Sequence, residues 1–322
     1  MADAAPRRRW LRGAAGLLAA ASAGAGARGA GAQSAGARGA GVQGTDVQGP
    51  GVQGPGPRRL VALGGTITEI VFALDAGGRL VGVDDSSLYP PAAQRLPKVG
   101  YYRSFSVEGV AGLAPDLVLA SNQAGPPGAL DRLRGLGLRV ALFDAAPTLA
   151  ALEARITGIA ETIGEAAAGA RLRERVRSEI AAARPLDPPP RVLVLSSHTG
   201  RMLSAGRETA ADAMLTLVGA RNAIESQNGY KPISGESVAA LRPESIVTTT
   251  MSIGASGGLA AFRSQPGIAA TPAARNGRIV VIDDLLLLGF GPRIGEALRE
   301  LSAGLAPHVA RSAVPAARRS GT

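Results

Sequence analysis

At 322 residues with 46% apolar side chains, the chain carries enough hydrophobic material for two domains of ordinary size, each with its own core. It contains no cysteine, which excludes disulfides, thiolate metal sites and a lipid attached through a cysteine. The formal charge of +10 is spread through helical stretches and only 3% of residues are aromatic, so neither a phosphate-tracking stripe nor a base-stacking platform is present and no nucleic-acid partner is expected.

The first 27 residues run from Arg7-Arg8-Arg9-Trp10-Leu11-Arg12 through about a dozen apolar residues to Ala25-Gly26-Ala27, the layout of a cleavable export signal too short to anchor a chain in a bilayer. The arginines fit both a twin-arginine and a general secretory route, and their removal leaves a charge of about +7. Exported without a lipid anchor, the chain is expected in a periplasm, soluble and monomeric. Residues 28–57, with Val-Gln-Gly repeated at 42–44, 47–49 and 52–54, read as a disordered Gly/Ala/Gln/Pro linker. A G-x-G-x-x-G string at 24–29 has no strand before it and carries no dinucleotide reading.

From residue 58 short apolar runs alternate with helical stretches. The expected N-terminal lobe, 58–147, has strands at 60–63, 80–83, 117–120 and 140–143 with helices near 66–74, 106–113 and 128–136. Residues 148–190 are rich in Ala, Glu, Arg, Leu and Ile, break at Gly164 and stop at a proline run, which predicts two helices, the second bridging the lobes. A helical bridge is stiff, so closure of the lobes is expected to be small. The C-terminal lobe, 191–308, repeats the theme with strands at 192–196, 245–249 and 279–282 and helices near 210–217, 234–241 and 292–305, leaving 309–322 as a tail. The fold class is therefore α/β: two Rossmann-like lobes with mostly parallel sheets, a long bridging helix and a ligand cleft between them.

Two related segments support the two-lobe reading. FSVEGVAGLAPDLV at 105–118 and ISGESVAALRPESI at 233–246 match at Ser, Glu, Val, Ala, Leu and Pro, and each follows a Gly-Tyr pair, Gly100-Tyr101 and Gly229-Tyr230. Ser106 and Ser234 take the helix N-cap position, placing Glu108 and Glu236 in first turns, where the helix dipole favours an acid. One such glutamate is an ordinary dipole-stabilising charge. A matched pair suits docking onto a two-fold partner with basic sockets.

Gly254-Ala255-Ser256-Gly257-Gly258 fits the G-x-S-x-G nucleophile pattern with His308 downstream, but it lies in a Gly- and Ser-rich loop with no helix expected after it. Asp283 and Asp284 are the only aspartates in order between them, at a strand end common to any α/β fold, so a serine hydrolase is the weakest reading and the chain is expected not to be an enzyme.

The runs PKVGYYRSFSVEGVAGLAPDLVLAS at 97–121, LVALGGTITEIVFAL at 60–74, AGRETAADAML at 205–215, GYKPIS at 229–234 and TPAARNGRIVVIDDLLLLGFGPR at 271–293 resemble the haem-binding periplasmic proteins that feed ABC-type importers, over about residues 58–306. That resemblance implies ferric haem as the transported ligand, with Tyr101 as the axial iron ligand. Phenolate, a hard anionic oxygen, suits ferric iron independently of any family. Arg103 is expected to support the phenolate. In an extended 101–103 segment it shares a face with Tyr101 while Tyr102 points away. Lys231 and Arg293, in strand-to-helix loops, are expected to meet the haem propionates, and His198, after a strand of the second lobe, is a further candidate ligand. Leu285–Leu288 are candidates to cover the porphyrin. The implied partners are an inner-membrane ABC permease dimer, docked through Glu108 and Glu236, with an outer-membrane haem uptake system left open. A ferric siderophore or cobalamin in the same fold, and an adaptor with no ligand, stay as alternatives.

Overall fold

The structure is a computed structural model and describes residues 56–197 and 201–312, with side chains to residue 306. The export signal, nearly all of the linker, His198 and the last ten residues lie outside the described residues, as does the His308 side chain. The linker expected to reach residue 57 ends earlier: Pro57 is buried, and a Cβ at Gly56 would stand 2.7 Å from the Ile163 carbonyl oxygen.

The first lobe is built from β1 (Leu60–Leu63), α1 (Gly65–Ala73), β2 (Leu80–Val83), α2 (Pro91–Gln94), α3 (Val107–Gly112), β3 (Leu117–Ser121), α4 (Ala129–Gly135) and β4 (Val140–Phe143). Its four strands pair in the order β2-β1-β3-β4, all parallel. Every residue of β1 and β3 is buried, as strands covered by helices on both faces require, which is why they read as unbroken apolar runs.

Two helices follow, α5 (Leu149–Ile163) and α6 (Ala166–Ala181). Thr148 caps α5 by accepting the Ala151 amide at 3.2 Å, and Gly164 ends it at φ 80°, a backbone state that glycine enters without strain. The packing of α5 is on α1 and β4, whereas α6 packs on α5 and, through Glu179 against Gly295, on the last helix of the chain.

The second lobe adds β5 (Arg191–Ser196), β6 (Leu203–Ala205), α7 (Ala210–Leu217), β7 (Arg221–Asn222), β8 (Tyr230–Pro232), α8 (Gly235–Leu241) and β9 (Ser245–Thr249). It continues with α9 (Thr250–Ala255), α10 (Leu259–Ser264), α11 (Pro266–Ala269), α12 (Pro272–Arg275), β10 (Ile279–Ile282), α13 (Asp284–Leu288) and α14 (Ile294–Ser312). The sheet runs β10-β9-β5-β6-β8 with β7 also on β5. Strands β10, β9, β5 and β7 are parallel, while β6 and β8 join antiparallel, so this lobe's sheet is mixed.

Strand periodicity divides the interior into three cores. In β1, Leu60 and Ala62 face one core and Val61 and Leu63 another; in β5, Val192 and Val194 face the first while Leu193 and Leu195 face a third. The first core is common to both lobes: it joins Ile70 and Phe143, the bridge residues Ile156, Leu172 and Val176, and Met214, Leu298 and Leu301 of the second lobe. Burying each of these side chains contributes about 1.5–3 kcal/mol, so the lobes are joined by apolar packing as well as by chain.

The helix bearing Glu236 is set by a glycine contact. A Cβ on Gly267 in α11 would lie 2.3 Å from both Cα and the carbonyl oxygen of Gly235, the first residue of α8. Gly267→Ala is expected to push these helices apart and destabilise the fold by about 1–3 kcal/mol, read as a lower thermal midpoint by circular dichroism. An unchanged midpoint would show that α11 shifts freely.

Candidate functional site

Ligands of open α/β sheets collect beyond the carboxyl ends of the strands. In the first lobe these ends are Gly64 after β1, Asp84 after β2 and Ser121, the last residue of β3; in the second they are Ser197, Thr250 and Asp283. Direct contacts tie the first lobe and the bridge to the second lobe: Thr66 Oγ1 donates to the Gly289 carbonyl at 2.8 Å, and the Arg155 Nη2 donates to the Phe290 carbonyl at 3.1 Å. Tyr230 of the second lobe lies within electrostatic reach of Tyr102 of the first.

Tyr101 stands beside the carboxyl end of β2. Gly100, at φ 92°, turns the chain, and Tyr101 follows in an extended conformation with 44% of its surface exposed. Its ring meets Tyr102 edge-on at a centroid distance of 4.7 Å. Residues Tyr102–Ser104 form a turn of 3₁₀ helix, so the alternation of faces expected for an extended 101–103 segment is absent. Arg103 Nε donates to the Tyr102 hydroxyl at 2.8 Å, and its Nη2 donates to Gln123 Oε1. The same guanidinium also pulls on Tyr101, holding its pKa down. Burial outweighs that pull, with Tyr102 adding to it, and pushes the Tyr101 phenol up to about 12. Tyr101 is therefore a neutral phenol at physiological pH, and an arriving cation must supply the ionisation that Arg103 does not.

Tyr230 occupies the matching place in the second lobe, after Gly229 at φ 74°. Burial of its hydroxyl drives its pKa up to about 12, opposed by the Ala211 amide and Thr209 at the start of α7. Lys231 is exposed in the middle of strand β8 rather than in a strand-to-helix loop, because its segment pairs antiparallel with Ser204.

Arg293 differs from expectation more sharply. It sits between two helices, α13 and α14, and its guanidinium is engaged: Nε donates to Glu69 Oε1 at 2.9 Å, Nη2 donates to the same oxygen, and its guanidinium carbon lies 3.6 Å from the Tyr89 ring centroid. Asp283 and Glu296 stand 3.8 Å from it. Glu69 of α1 takes Nε and Nη2, so Arg293 ties the two lobes together. Glu69 is 4% exposed, and burial pushes its carboxyl up to about 7 against the pull of Arg293. An acid inside the apolar run Ile67–Val71 was the sequence signal that a cation waits opposite.

Leu285–Leu288 form α13, and Leu286 and Leu287 are buried in the shared core, so these two do not cover a ligand. Leu285 and Leu288 remain half-buried. Glu108 and Glu236 are both exposed in first turns: Ser106 accepts the Gly109 amide at 2.8 Å and Ser234 the Ser237 amide at 3.1 Å.

The serine pattern has a helix on each side, contrary to expectation, since α10 begins at Leu259. Ser256 nevertheless caps the end of α9, not a strand, and its Oγ donates to the Ser252 carbonyl at 2.8 Å, so no strand-turn-helix elbow exposes it.

The model of the family described as "Periplasmic binding protein" matches residues 60–286. The chain belongs to that family. Its members bind and deliver ligands and are not enzymes. The chain is 43% identical to the periplasmic heme-binding protein BhuT, solved in complex with two hemes, covering 78% of this chain and 98% of that one with a TM-score of 0.72. It is 28% identical over 259 residues to the uncharacterized ABC transporter substrate-binding lipoprotein YvrC of Bacillus subtilis, covering 78% of this chain and 81% of YvrC. The vitamin B12-binding protein of Vibrio cholerae is 37% identical over 82 residues, which is 26% of this chain and 30% of that protein. Among the described residues of this family member, no helix is long and apolar enough to cross a membrane.

Proposed function

We propose that the chain is a periplasmic haem-binding protein that takes ferric haem between its lobes, through the Tyr101 oxygen, and delivers it to an ABC importer. The observation that carries this is an exposed tyrosine beside an arginine at the carboxyl ends of the strands, in a chain whose likeness to BhuT spans nearly all of that protein. The likeness to corrinoid binders is weaker, 37% identity over a quarter of the chain or 29% over 60% of it, against 43% over 78% for BhuT, which favours haem over a corrinoid. Tyr101 is preferred over Tyr102 because it is the more exposed and its hydroxyl is the less committed to Arg103. Lys231, exposed on β8, and Arg293 are the proposed partners of the propionates, and His198 remains a candidate second ligand. Glu108 and Glu236 would dock to a permease dimer, and the leader would direct export by either route.

Haemin added to the purified chain is expected to give the absorption spectrum of a ferric tyrosinate complex, with no comparable complex formed by cobalamin or a ferric siderophore. Because the free Tyr101 phenol titrates at about 12, binding should release about one proton per haem. Affinity should then rise about tenfold per pH unit while the iron's own water stays protonated. Calorimetry in buffers of different ionisation enthalpy reads that proton. Binding of cobalamin in preference to haemin would overturn the proposal.

A further inference from the structure

Strand β2 runs straight into Asp84-Asp85-Ser86-Ser87, and Asp84 is wholly buried. A carboxylate removed from water is costly unless its lone pairs are filled, and here they are. Oδ1 accepts from the Gly64 amide at 3.0 Å and the Ser87 hydroxyl at 2.8 Å. Oδ2 accepts from the Ser86 amide at 2.9 Å, the Ser86 hydroxyl at 2.6 Å and the Tyr102 amide at 3.2 Å. The Ser86 hydroxyl also accepts the Gly65 amide at 2.9 Å, so the same cluster holds the first turn of α1. Lys98 reaches the Asp84 backbone carbonyl, at 3.4 Å, and two neighbouring carbonyls.

The consequence for Tyr101 lies in its two flanking peptide planes. The plane before it is held by its oxygen: the Gly100 carbonyl accepts the Asp85 amide at 3.0 Å. The plane after it is held by its nitrogen, the Tyr102 amide on Asp84 Oδ2. Fixing both planes fixes the φ and ψ of Tyr101, which is what an exposed side chain needs if its oxygen is to be presented in one direction. We propose that Asp84 is the positioning residue of the ligand loop, anchoring the backbone on which Tyr101 presents its phenol. This rests on the haem-binding reading only for what the phenol meets.

Asp84→Asn keeps the shape but gives the amide nitrogen no way to accept, so one of the two sets of donors faces another donor. The variant is expected to bind haemin about 10–100-fold more weakly, as loss of an outer-shell partner of a metal ligand does, and to broaden or shift the ferric tyrosinate absorption. Ser87→Ala is the control. It removes the Oδ1 contact and the 2.7 Å Thr68–Ser87 hydroxyl pair, leaves the Tyr102 amide bonded, and should lower the thermal midpoint without altering the spectrum. A wild-type spectrum and affinity in Asp84→Asn would overturn the proposal. Should that variant not fold, hydrogen exchange on the unmodified protein decides. The Tyr102 amide should exchange at least about 100-fold more slowly than an unbonded loop amide, and exchange at the unbonded rate would overturn the assignment. Failure of the unmodified protein to take up haemin would sink the haem reading alone, since the exchange result stands without ligand.

Discussion

Tyr101→Phe is expected to abolish the ferric tyrosinate spectrum and to weaken haemin binding more than about 100-fold, exceeding the loss expected when only a hydrogen-bond partner of a metal ligand is removed. Phenylalanine preserves the edge-on contact with Tyr102, so the loss reports the oxygen and not the packing. Tyr102→Phe is the informative partner. It removes the hydroxyl that receives Arg103 at 2.8 Å and frees that guanidinium, which should alter affinity by a smaller factor and leave the spectral type intact. Absorption titration of both variants with haemin checks the pair. A spectrum lost in Tyr102→Phe and retained in Tyr101→Phe would transfer the ligand role to the neighbouring phenol.

Arg293→Ala is expected to have the largest effect on stability. It strands Glu69 as an uncompensated carboxyl in the interior, a change that costs about 3–5 kcal/mol and lowers the thermal midpoint by about 10 °C in a body of this size. The deficit should depend on pH. Burial already lifts the folded Glu69 pKa from 4.5 to about 7 with Arg293 present, and removing the cation lifts it further. The folded variant then keeps a proton that the unfolded chain has shed, so its stability falls as pH climbs from about 4.5 through the folded value. Urea unfolding at pH 5 and pH 8 should find a small deficit at the first and a larger one at the second. Equal deficits would mean that Glu69 does not carry the effect. The double replacement Glu69→Leu with Arg293→Met should recover much of the loss, because paired removal of a buried ion pair is often neutral.

The parallel strands were legible because short runs rich in Val, Ile and Leu stand between helical stretches: the expected spans 60–63, 80–83, 140–143, 245–249 and 279–282 coincide with β1, β2, β4, β9 and β10. The bridge was legible for another reason, its Ala, Glu and Arg content bounded by Gly164 and the proline run. Strands β6 and β8 escaped notice because three residues, one of them Pro232, make too short an alternation, and the small helices α9 to α12 hide in Gly-, Ser- and Pro-rich sequence.

At the site, the Gly-Tyr pairs and the twin capped glutamates could be read directly, since each is a local pattern. The partners that decide behaviour could not. Glu69 and Arg293 are 224 positions apart. Extended geometry at 101–103 failed because the Tyr102 amide is drawn down to Asp84 and the Gly125 amide closes on the Tyr102 carbonyl at 2.9 Å, which together coil the segment.

The apolar interior running beneath both halves has a bearing on how an importer would recognise its courier. Separating the halves widely would tear Ile156, Val176 and Met214 from one another, so vacant and laden molecules should share nearly the same silhouette. A permease gripping the two outer acidic tips would then feel little difference between them. Discrimination would then fall to the strand-end loops themselves, and an idle molecule would compete for the same berth.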